Sequence, residues 1–210
     1  MTHDIQAIKA GDANALARAF DDHRERLRRT IRFRVDSRLL ARLDVEDILQ
    51  ESYMNAATRT SHVNAKDDRQ LFVWFRLIVM QTLVDLHRRH LGAKMRDAGR
   101  EVTAQHGCDS RSTSLSMSRM LIGNLTTPTQ SLRRAEAQQA LDSALAAMND
   151  MDREVLALRH FEELTNQEVA AVLDIEPKAA SIRYVRALRR LKTIMESIPG
   201  SDSPSTLRRE

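Results

Sequence analysis

The chain has 210 residues, of which 42% are hydrophobic and 30% are charged. This balance is typical of a folded protein rather than a disordered one. Only six glycines and four prolines occur, and aromatic residues make up 4%, so the composition favours α-helix. The net charge is +4 and the isoelectric point about 9.6, which points to a polyanionic partner, either nucleic acid or an anionic membrane.

The sequence argues against a secreted or membrane protein. A single cysteine, Cys108, excludes an intramolecular disulfide. The sequence contains no run of about 18 apolar residues, and it begins with polar residues. We therefore expect a cytoplasmic location, with neither a membrane span nor a signal peptide.

Catalytic and metal motifs are also missing from the sequence. Its seven histidines are scattered. His87 and His90 have a spacing that suits a metal, but no carboxylate or cysteine completes a site beside them. The chain has no glycine-rich phosphate loop and no nucleophile motif. We expect no enzyme, no catalytic residue, no metal or other cofactor, no small-molecule substrate and no membrane partner.

The first 91 residues predict one helical domain. Apolar residues recur at helical spacing from Leu16 to Ile31, and a second helix is expected to begin near Asp44, where acidic residues suit the helix dipole. A polar stretch, 58–68, separates it from a third helix between Leu71 and His90 that is apolar at first and then basic.

The remaining sequence predicts a linker, a second helical domain and a tail. Residues 92–128 are interrupted by glycine and serine and are expected to form a flexible linker, with a short helix near Leu115–Ile122. Helical periodicity resumes at Ser131, and Asp152 is expected to cap the next helix. The predicted fold is therefore all-α, with two small domains, 1–91 and 129–198, and a disordered tail at 199–210.

A helix-turn-helix is predicted near the C-terminus, within 162–192. Thr165 and Glu168 have the spacing of a capping box, the short turn 174–176 follows, and Pro177 suits the first position of a second helix. The second helix carries apolar residues at three-residue steps, Ile182, Val185, Leu188 and Leu191. It also carries six cations and no acidic residue between 177 and 192: Lys178, Arg183, Arg186, Arg189, Arg190 and Lys192. Such a helix suits the major groove of DNA.

Three ordered segments resemble the extracytoplasmic-function (ECF) group of bacterial sigma factors. The first is the acidic stretch Asp44-Val-Glu-Asp-Ile-Leu-Gln-Glu51, and the second is the aromatic stretch Phe72-Val-Trp-Phe-Arg-Leu-Ile78 with the basic run after it. The third is the C-terminal helical sequence from Leu145 to Leu191. The resemblance implies an alternative sigma factor that directs core RNA polymerase to promoters for transcription initiation, with possible control by an anti-sigma factor.

The resemblance implies two sets of contacts for the first domain. The polymerase β′ clamp would bind Asp44, Glu46, Asp47, Gln50 and Glu51. The promoter −10 element would contact His62, Asn64, Trp74, Arg76, Gln81, Arg88, Arg89, Lys94 and Arg96. Ordinary roles stay open for several of these residues: an acidic helix start for Asp44 and Glu46, a core position for Trp74, and a plain surface loop for His62 and Asn64.

The second domain would recognise the −35 element through Lys178, Ser181, Arg183, Arg186 and Arg190, with Arg190 on the DNA backbone. Arg183 has an alternative role, an ion pair with an acidic neighbour inside the domain. Asp174 stands where relatives commonly have glycine, and aspartate tolerates the left-handed conformation that such a turn needs. Residues 180–182 depart from the usual pattern, so the preferred −35 DNA sequence does not follow from that of relatives.

A different class of function also fits the C-terminal motif. A helix-turn-helix transcriptional regulator would use the second domain for DNA binding and the first as a sensor or dimerisation module. Such a protein would not need the acidic segment, and it would bind promoter DNA without polymerase.

Overall fold

The computed structural model describes residues 3–91, 110–123 and 131–197. Every secondary-structure element in these ranges is helical, and none of the described residues forms a strand. The all-α prediction is thus confirmed. The helices divide into two compact units, one built from those before residue 92 and the other from most of the helical sequence after residue 110. Among the described residues, no helix is long and apolar enough to cross a membrane.

Within residues 3–91, six α-helices and one 3₁₀ turn form the first unit. They are α1 (Ile5–Lys9), α2 (Ala13–Asp22), α3 (Arg24–Arg34), α4 (Ser37–Leu40), α5 (Val45–Ala57), the 3₁₀ turn Thr60–His62, and α6 (Asp68–Leu91). Helices α3, α5 and α6 pack against one another. Their apolar faces, with that of α2, bury Leu16, Phe20, Leu27, Ile31, Ile48, Leu49, Leu71, Phe72, Phe75 and Val79, and this burial is the main stabilising contribution to the unit.

Within the first unit, the sequence locates the start of α5 but not a break in the first apolar run. Asp44 caps α5 as predicted. The apolar run from Leu16 to Ile31 is not one helix, because α2 ends and α3 begins at His23, which is the C-cap of α2 and the N-cap of α3. The 3.6-residue period does not reveal this break, since both helices bury the same side of the pattern.

In the part of the chain that the structure describes, the second unit contains all or most of five α-helices. They are α7 (Ser110–Gly123), α8 (Ser131–Ala146), α9 (Asp150–Leu156), α10 (Asn166–Leu173) and α11 (Pro177–Ser197), with a π-helical turn, Ala157–Phe161, after α9. Helices α8 and α9 both pack against α11, and Leu141, Leu145, Val155, Leu158 and Leu191 are buried in this unit.

The predicted linker, 92–128, differs from the structure in its second half. Helix α7 is longer than the short helix expected there, and it packs against α8 and α9. It buries Met117 and Ser118, and Gln138 Nε2 of α8 donates to Ser118 Oγ at 2.6 Å. The serine-rich sequence of α7 does not predict a helix, because serine side chains also hydrogen-bond the backbone in non-helical conformations. Residues 92–109, 124–130 and the tail 199–210 lie outside the described residues.

The predicted cap of α9 was wrong by three residues. Asn149, not Asp152, is the N-cap, and its Oδ1 accepts from the backbone N–H of Met151 at 3.0 Å. The turn before α9 is held by Arg153, which is only 2% exposed. Its Nη1 donates to the carbonyls of Leu145 at 2.6 Å and Met148 at 3.1 Å, and so satisfies acceptors that the end of α8 leaves free.

Candidate polymerase and DNA interfaces

The acidic segment of the first unit begins with a reciprocal capping box. Asp47 N–H donates to Asp44 Oδ1 at 2.7 Å, and Asp44 N–H donates to Asp47 Oδ2 at 3.0 Å. Both carboxylates therefore define the start of α5, where the helix dipole also favours negative charge. Asp44 and Asp47 are exposed, so the outer side of each carboxylate faces solvent.

Glu46, the third acidic residue, is held by two arginines of α3. Arg24 Nη2 donates to Glu46 Oε2 at 2.6 Å, and Arg28 Nε donates to Oε1 at 2.8 Å. These hydrogen bonds lower the pKa of Glu46 below its ordinary value, and the bond from Arg24 has the larger effect. The Glu46 side chain is 46% exposed, so solvent screens the pairs and each contributes little to stability. A partner that bound Glu46 would have to compete with both guanidinium groups.

The last turn of the acidic segment is less constrained. Glu51 accepts a short hydrogen bond from Arg89 of α6. Gln50 is exposed, and its amide faces solvent on the helix that presents Asp47. Substitution of Gln50 or Asp47 therefore changes the predicted polymerase surface without breaking the hydrogen bonds that Arg24, Arg28 and Arg89 donate to Glu46 and Glu51.

Three of the predicted −10 residues, two in the loop and one in α6, lie at the surface of the first unit. His62 ends the 3₁₀ turn, and His62, Asn64 and Gln81 are all exposed. Arg59 Nη1 donates a short hydrogen bond to Gln81 Oε1. Sequence reasoning missed Arg59, whose only signal was its position at the start of the polar stretch.

The predicted cations of α6 have different environments. Arg88 and Arg89 are exposed in its last turn, but Arg76 is only 6% exposed. Little of Arg76 is therefore offered to a phosphate in this arrangement, and its contact with the −10 element stays a prediction. Trp74 is half-buried, with its ring centroid 5.2 Å from that of Phe75. Lys94 and Arg96 lie outside the described residues.

The helix-turn-helix geometry forms in the second unit as the sequence predicts. Glu168 N–H donates to Thr165 Oγ1 at 3.3 Å, and Thr165 N–H donates to Glu168 Oε2 at 2.7 Å, so the capping box is present. Asp174 adopts the left-handed conformation with φ of +52°. Asn166 Nδ2 donates to the Pro177 carbonyl at 2.7 Å and so joins the starts of α10 and α11.

Helix α11 buries a narrow face and exposes a wide one. Ala180, Ala187 and Leu191 are at most 1% exposed. Ile182 and Val185, which the three-residue pattern assigned to the apolar face, are each 45% exposed, so that assignment was wrong. Four of the predicted −35 residues share the exposed side: Lys178, Ser181, Arg186 and Arg190. The surface formed by these six exposed residues, the α11 face, combines cations, a hydroxyl and two apolar side chains.

The fifth predicted −35 residue has an intramolecular partner. Arg183 Nη1 lies 3.3 Å from Asp152 Oδ1 of α9. This is the alternative that the sequence left open for Arg183. The Arg183 side chain remains 40% exposed, so its guanidinium contacts both Asp152 and solvent.

The arrangement is that of a helical protein with a DNA-binding helix-turn-helix and a separate helical unit bearing an acidic helix start. A family model described as "ECF sigma factor" matches residues 1–196. A curated relative, the ECF RNA polymerase sigma factor SigW of Bacillus subtilis (strain 168), is 22% identical over 189 residues, which cover 90% of this chain and 92% of SigW. The solved structure of CnrH in complex with the cytosolic domain of CnrY is similar with a TM-score of 0.51 at 20% identity, covering 95% of this chain and 96% of CnrH.

The match over nearly the whole chain shows that this protein belongs to the ECF sigma factor family. It is therefore an alternative sigma factor of bacterial transcription initiation, and RNA polymerase and promoter DNA are the partners that membership in the family implies. The likeness to CnrH supports the fold.

Proposed function

We propose that this sigma factor contacts both promoter elements, with the first unit at −10 and the α11 face at −35. The observation that carries the proposal is the α11 face, because its exposed cations and hydroxyl extend along a helix that follows a capped α10 and a tight turn. A helix of this kind enters the major groove with its N-terminal residues near base edges, while its cations neutralise phosphates. Lys178 and Ser181 would lie nearest the bases, and Arg190 would contact the backbone.

The first unit would supply the polymerase contact and strand capture. The start of α5 offers Asp47 and Gln50 to the β′ clamp, and release of Glu46 and Glu51 from their arginines would extend the contact. The exposed residues His62, Asn64 and Gln81 would bind the unstacked −10 base, which costs a few kcal/mol to extrude. Arg88 and Arg89 would bind phosphates of the melted strand.

This function requires binding and strand capture but no catalysis, since bond formation belongs to the polymerase. We infer that the chain is not an enzyme, needs no cofactor for promoter recognition and acts in the cytoplasm. An anti-sigma partner is part of the proposal, because the similar CnrH was solved with the cytosolic domain of CnrY bound.

Transcription with purified components tests the proposal. The full chain is mixed with core polymerase and a randomised promoter library, and the starts of the transcripts are sequenced. We expect initiation from templates sharing two elements, one near −35 and one near −10. If the chain bound DNA equally well with and without core polymerase and never redirected initiation, it would act as a conventional regulator and the proposal would fail.

The two elements are then assigned to the two units with variants. Lys178→Ala, on the α11 face, should relax selection at −35 and leave −10 selection intact. Gln81→Ala, in the first unit, should relax selection at −10 and leave −35 selection intact. Selection that changed at the other element in either variant would overturn the assignment of that unit.

A further inference from the structure

Three segments of the first unit bring two histidines and a carboxylate together. His3 precedes α1, His23 lies at the break between α2 and α3, and Asp68 begins α6. One ligand atom from each residue lies within 4.8 Å of those from the other two. Asp68 Oδ1 is 3.2 Å from His3 Nε2 and 3.5 Å from His23 Nε2. This group, the His3–His23–Asp68 cluster, belongs to neither the polymerase set nor the −10 set.

The distances in the cluster suit ligands of a common metal. Two ligand atoms about 2.05 Å from a zinc ion, at the tetrahedral angle, lie about 3.3 Å apart. The two distances from Asp68 Oδ1 bracket that value. An ordinary hydrogen bond to a carboxylate would be shorter, about 2.7–2.9 Å.

The polar atoms at the centre of the cluster are buried without a hydrogen bond. His23 is 5% exposed, and neither His23 Nε2 nor Asp68 Oδ1 has a hydrogen-bond partner. Leaving such buried groups without a partner destabilises the folded state. An ion bound to both atoms would remove this destabilisation.

The His23 ring is packed among aromatic side chains. It lies 5.5 Å from Phe72 and 6.0 Å from Phe75, measured between centroids, and this packing fixes the place of the imidazole in the cluster. Asp22, whose Oδ2 is 3.5 Å from His3 Nε2, adds a second negative charge beside the cluster, which favours a cation there.

We propose that the His3–His23–Asp68 cluster is a binding site for a divalent transition-metal ion, zinc in the first instance, that fastens the segment before α1 to the starts of α3 and α6. Two imidazoles and a carboxylate are ligands that zinc accepts, with water in the fourth position. The site goes beyond the proposed promoter recognition and does not depend on it. The sequence did not predict it, because its ligands are separated by 20 and 45 residues.

Zinc binding to the full chain, prepared without a polyhistidine tag and stripped of metal, tests the site. A chromophoric chelator competes for Zn²⁺, and thermal unfolding is followed with and without the ion. We expect one Zn²⁺ per chain and a higher melting temperature with zinc, because an ion that binds only the folded state stabilises it. His3→Gln and Asp68→Asn should each weaken binding by more than about ten-fold.

Two controls make the result specific. His90→Gln removes a histidine from the His87/His90 pair of α6 and should leave zinc affinity unchanged. Ion binding by His3 and its neighbouring backbone amides alone would survive Asp68→Asn, and that outcome would overturn the site. Absence of stoichiometric binding in the unsubstituted chain, or wild-type affinity in His3→Gln, would overturn it as well. Because His3 lies outside the helices, His3→Gln remains informative even if His23→Gln does not fold.

Discussion

Arg183 of α11 and Asp152 of α9 form an ion pair, with Nη1 and Oδ1 3.3 Å apart. The pair joins the helix proposed to enter the major groove to the helix that supports it. Because the Arg183 side chain is 40% exposed, the same guanidinium is available to a DNA phosphate. At the proposed −35 interface, Asp152 would therefore compete with DNA for Arg183.

Asp152→Asn should strengthen the binding of −35 DNA. The substitution removes the competing charge and leaves Arg183 free to neutralise one more phosphate, so the salt dependence of binding should steepen by about one unit of slope. Fluorescence anisotropy of a −35 duplex at several salt concentrations measures both effects. Weaker binding at every salt concentration would show instead that the pair positions α11.

Ile182 on the α11 face should contribute base preference through an apolar contact. An exposed apolar side chain beside Ser181 suits the C5-methyl group of thymine, a contact worth about 1 kcal/mol. Ile182→Ser should lower affinity for a −35 duplex selected by the holoenzyme. Replacing thymine by deoxyuridine in that duplex should weaken binding of the unsubstituted chain and leave the variant unaffected.

The stability of the Ile182→Ser chain provides the control for this prediction. Since Ile182 is 45% exposed, the free energy of unfolding should change by no more than about 0.5 kcal/mol. Met54→Ser, which removes an exposed apolar side chain from the first unit, should leave −35 affinity unchanged. Equal sensitivity of both variants to deoxyuridine would contradict a methyl contact at Ile182.

Asp47 should affect polymerase binding by its charge and stability by its hydrogen bond. Asp47→Asn keeps an acceptor for Asp44 N–H and removes the charge, whereas Asp47→Ala removes both. We expect both variants to bind core polymerase about five-fold more weakly, equivalent to about 1 kcal/mol. Asp47→Ala alone should lose a further 1 kcal/mol or so of folding stability, as helix caps do.

Surface plasmon resonance with immobilised core polymerase and urea unfolding of the free chain separate the two effects. Gln50→Ala serves as the matched comparison, because it changes the same helix surface without touching the cap. If Asp47→Asn bound core polymerase with unchanged affinity, the start of α5 would be only a structural cap.

Asp174 should be replaceable by glycine but not by alanine. Its φ of +52° is a conformation that costs most residues with a Cβ about 1 kcal/mol, and aspartate less. Asp174→Ala should therefore lower the free energy of unfolding by about 1 kcal/mol, while Asp174→Gly should be close to neutral. Urea unfolding measures the difference, and equal stability of the two variants would mean that the turn relaxes to negative φ.

His160 should make the protein less stable in mild acid. Burial lowers the pKa of His160 below its ordinary value of 6.5, against a smaller opposing effect of Glu163. The unfolded chain thus binds a proton at a higher pH than the folded chain does. The contribution of the neutral side chain is complete above pH 6.5, and it is lost as the pH falls from there through the folded-state pKa.

Urea unfolding at pH 7.5, 6.5 and 5.5 compares the unsubstituted chain with His160→Gln. The variant should lose less stability between pH 6.5 and 5.5. His23, whose pKa is also lowered, contributes equally to both chains and cancels in the comparison. Parallel pH profiles would contradict the expected role of His160.

Features with a short-range physical cause were predictable from the sequence. The Thr165–Glu168 box, the left-handed turn at Asp174 and the start of α5 at Asp44 each depend on residues a few positions apart. Long-range pairings had no comparable signal. Whether Arg76 is buried and whether Arg183 meets Asp152 depend on how helices pack, which helical periodicity does not specify.

Helix α11 is a second case in which the sequence pattern did not predict which residues are buried. Ile182 and Val185 are more hydrophobic than Ala180 and Ala187, so hydrophobicity alone placed the larger residues inside. Instead, both alanines lie on the buried face of a helix that packs against α9 and α8. The larger side chains are left on the surface that is proposed to meet DNA.

The reciprocal cap between Asp44 and Asp47 has a consequence for genetics. The same two carboxylates begin a helix and lie where a partner is expected, so substitutions there change cellular abundance and transcriptional output together. A reporter screen for loss of activity would recover them whether or not they touch the polymerase. Normalising reporter output to the amount of sigma factor in each cell would separate a loss of folding stability from a loss of the polymerase contact. Asp47→Asn is the allele for which raw output and cellular abundance should differ most.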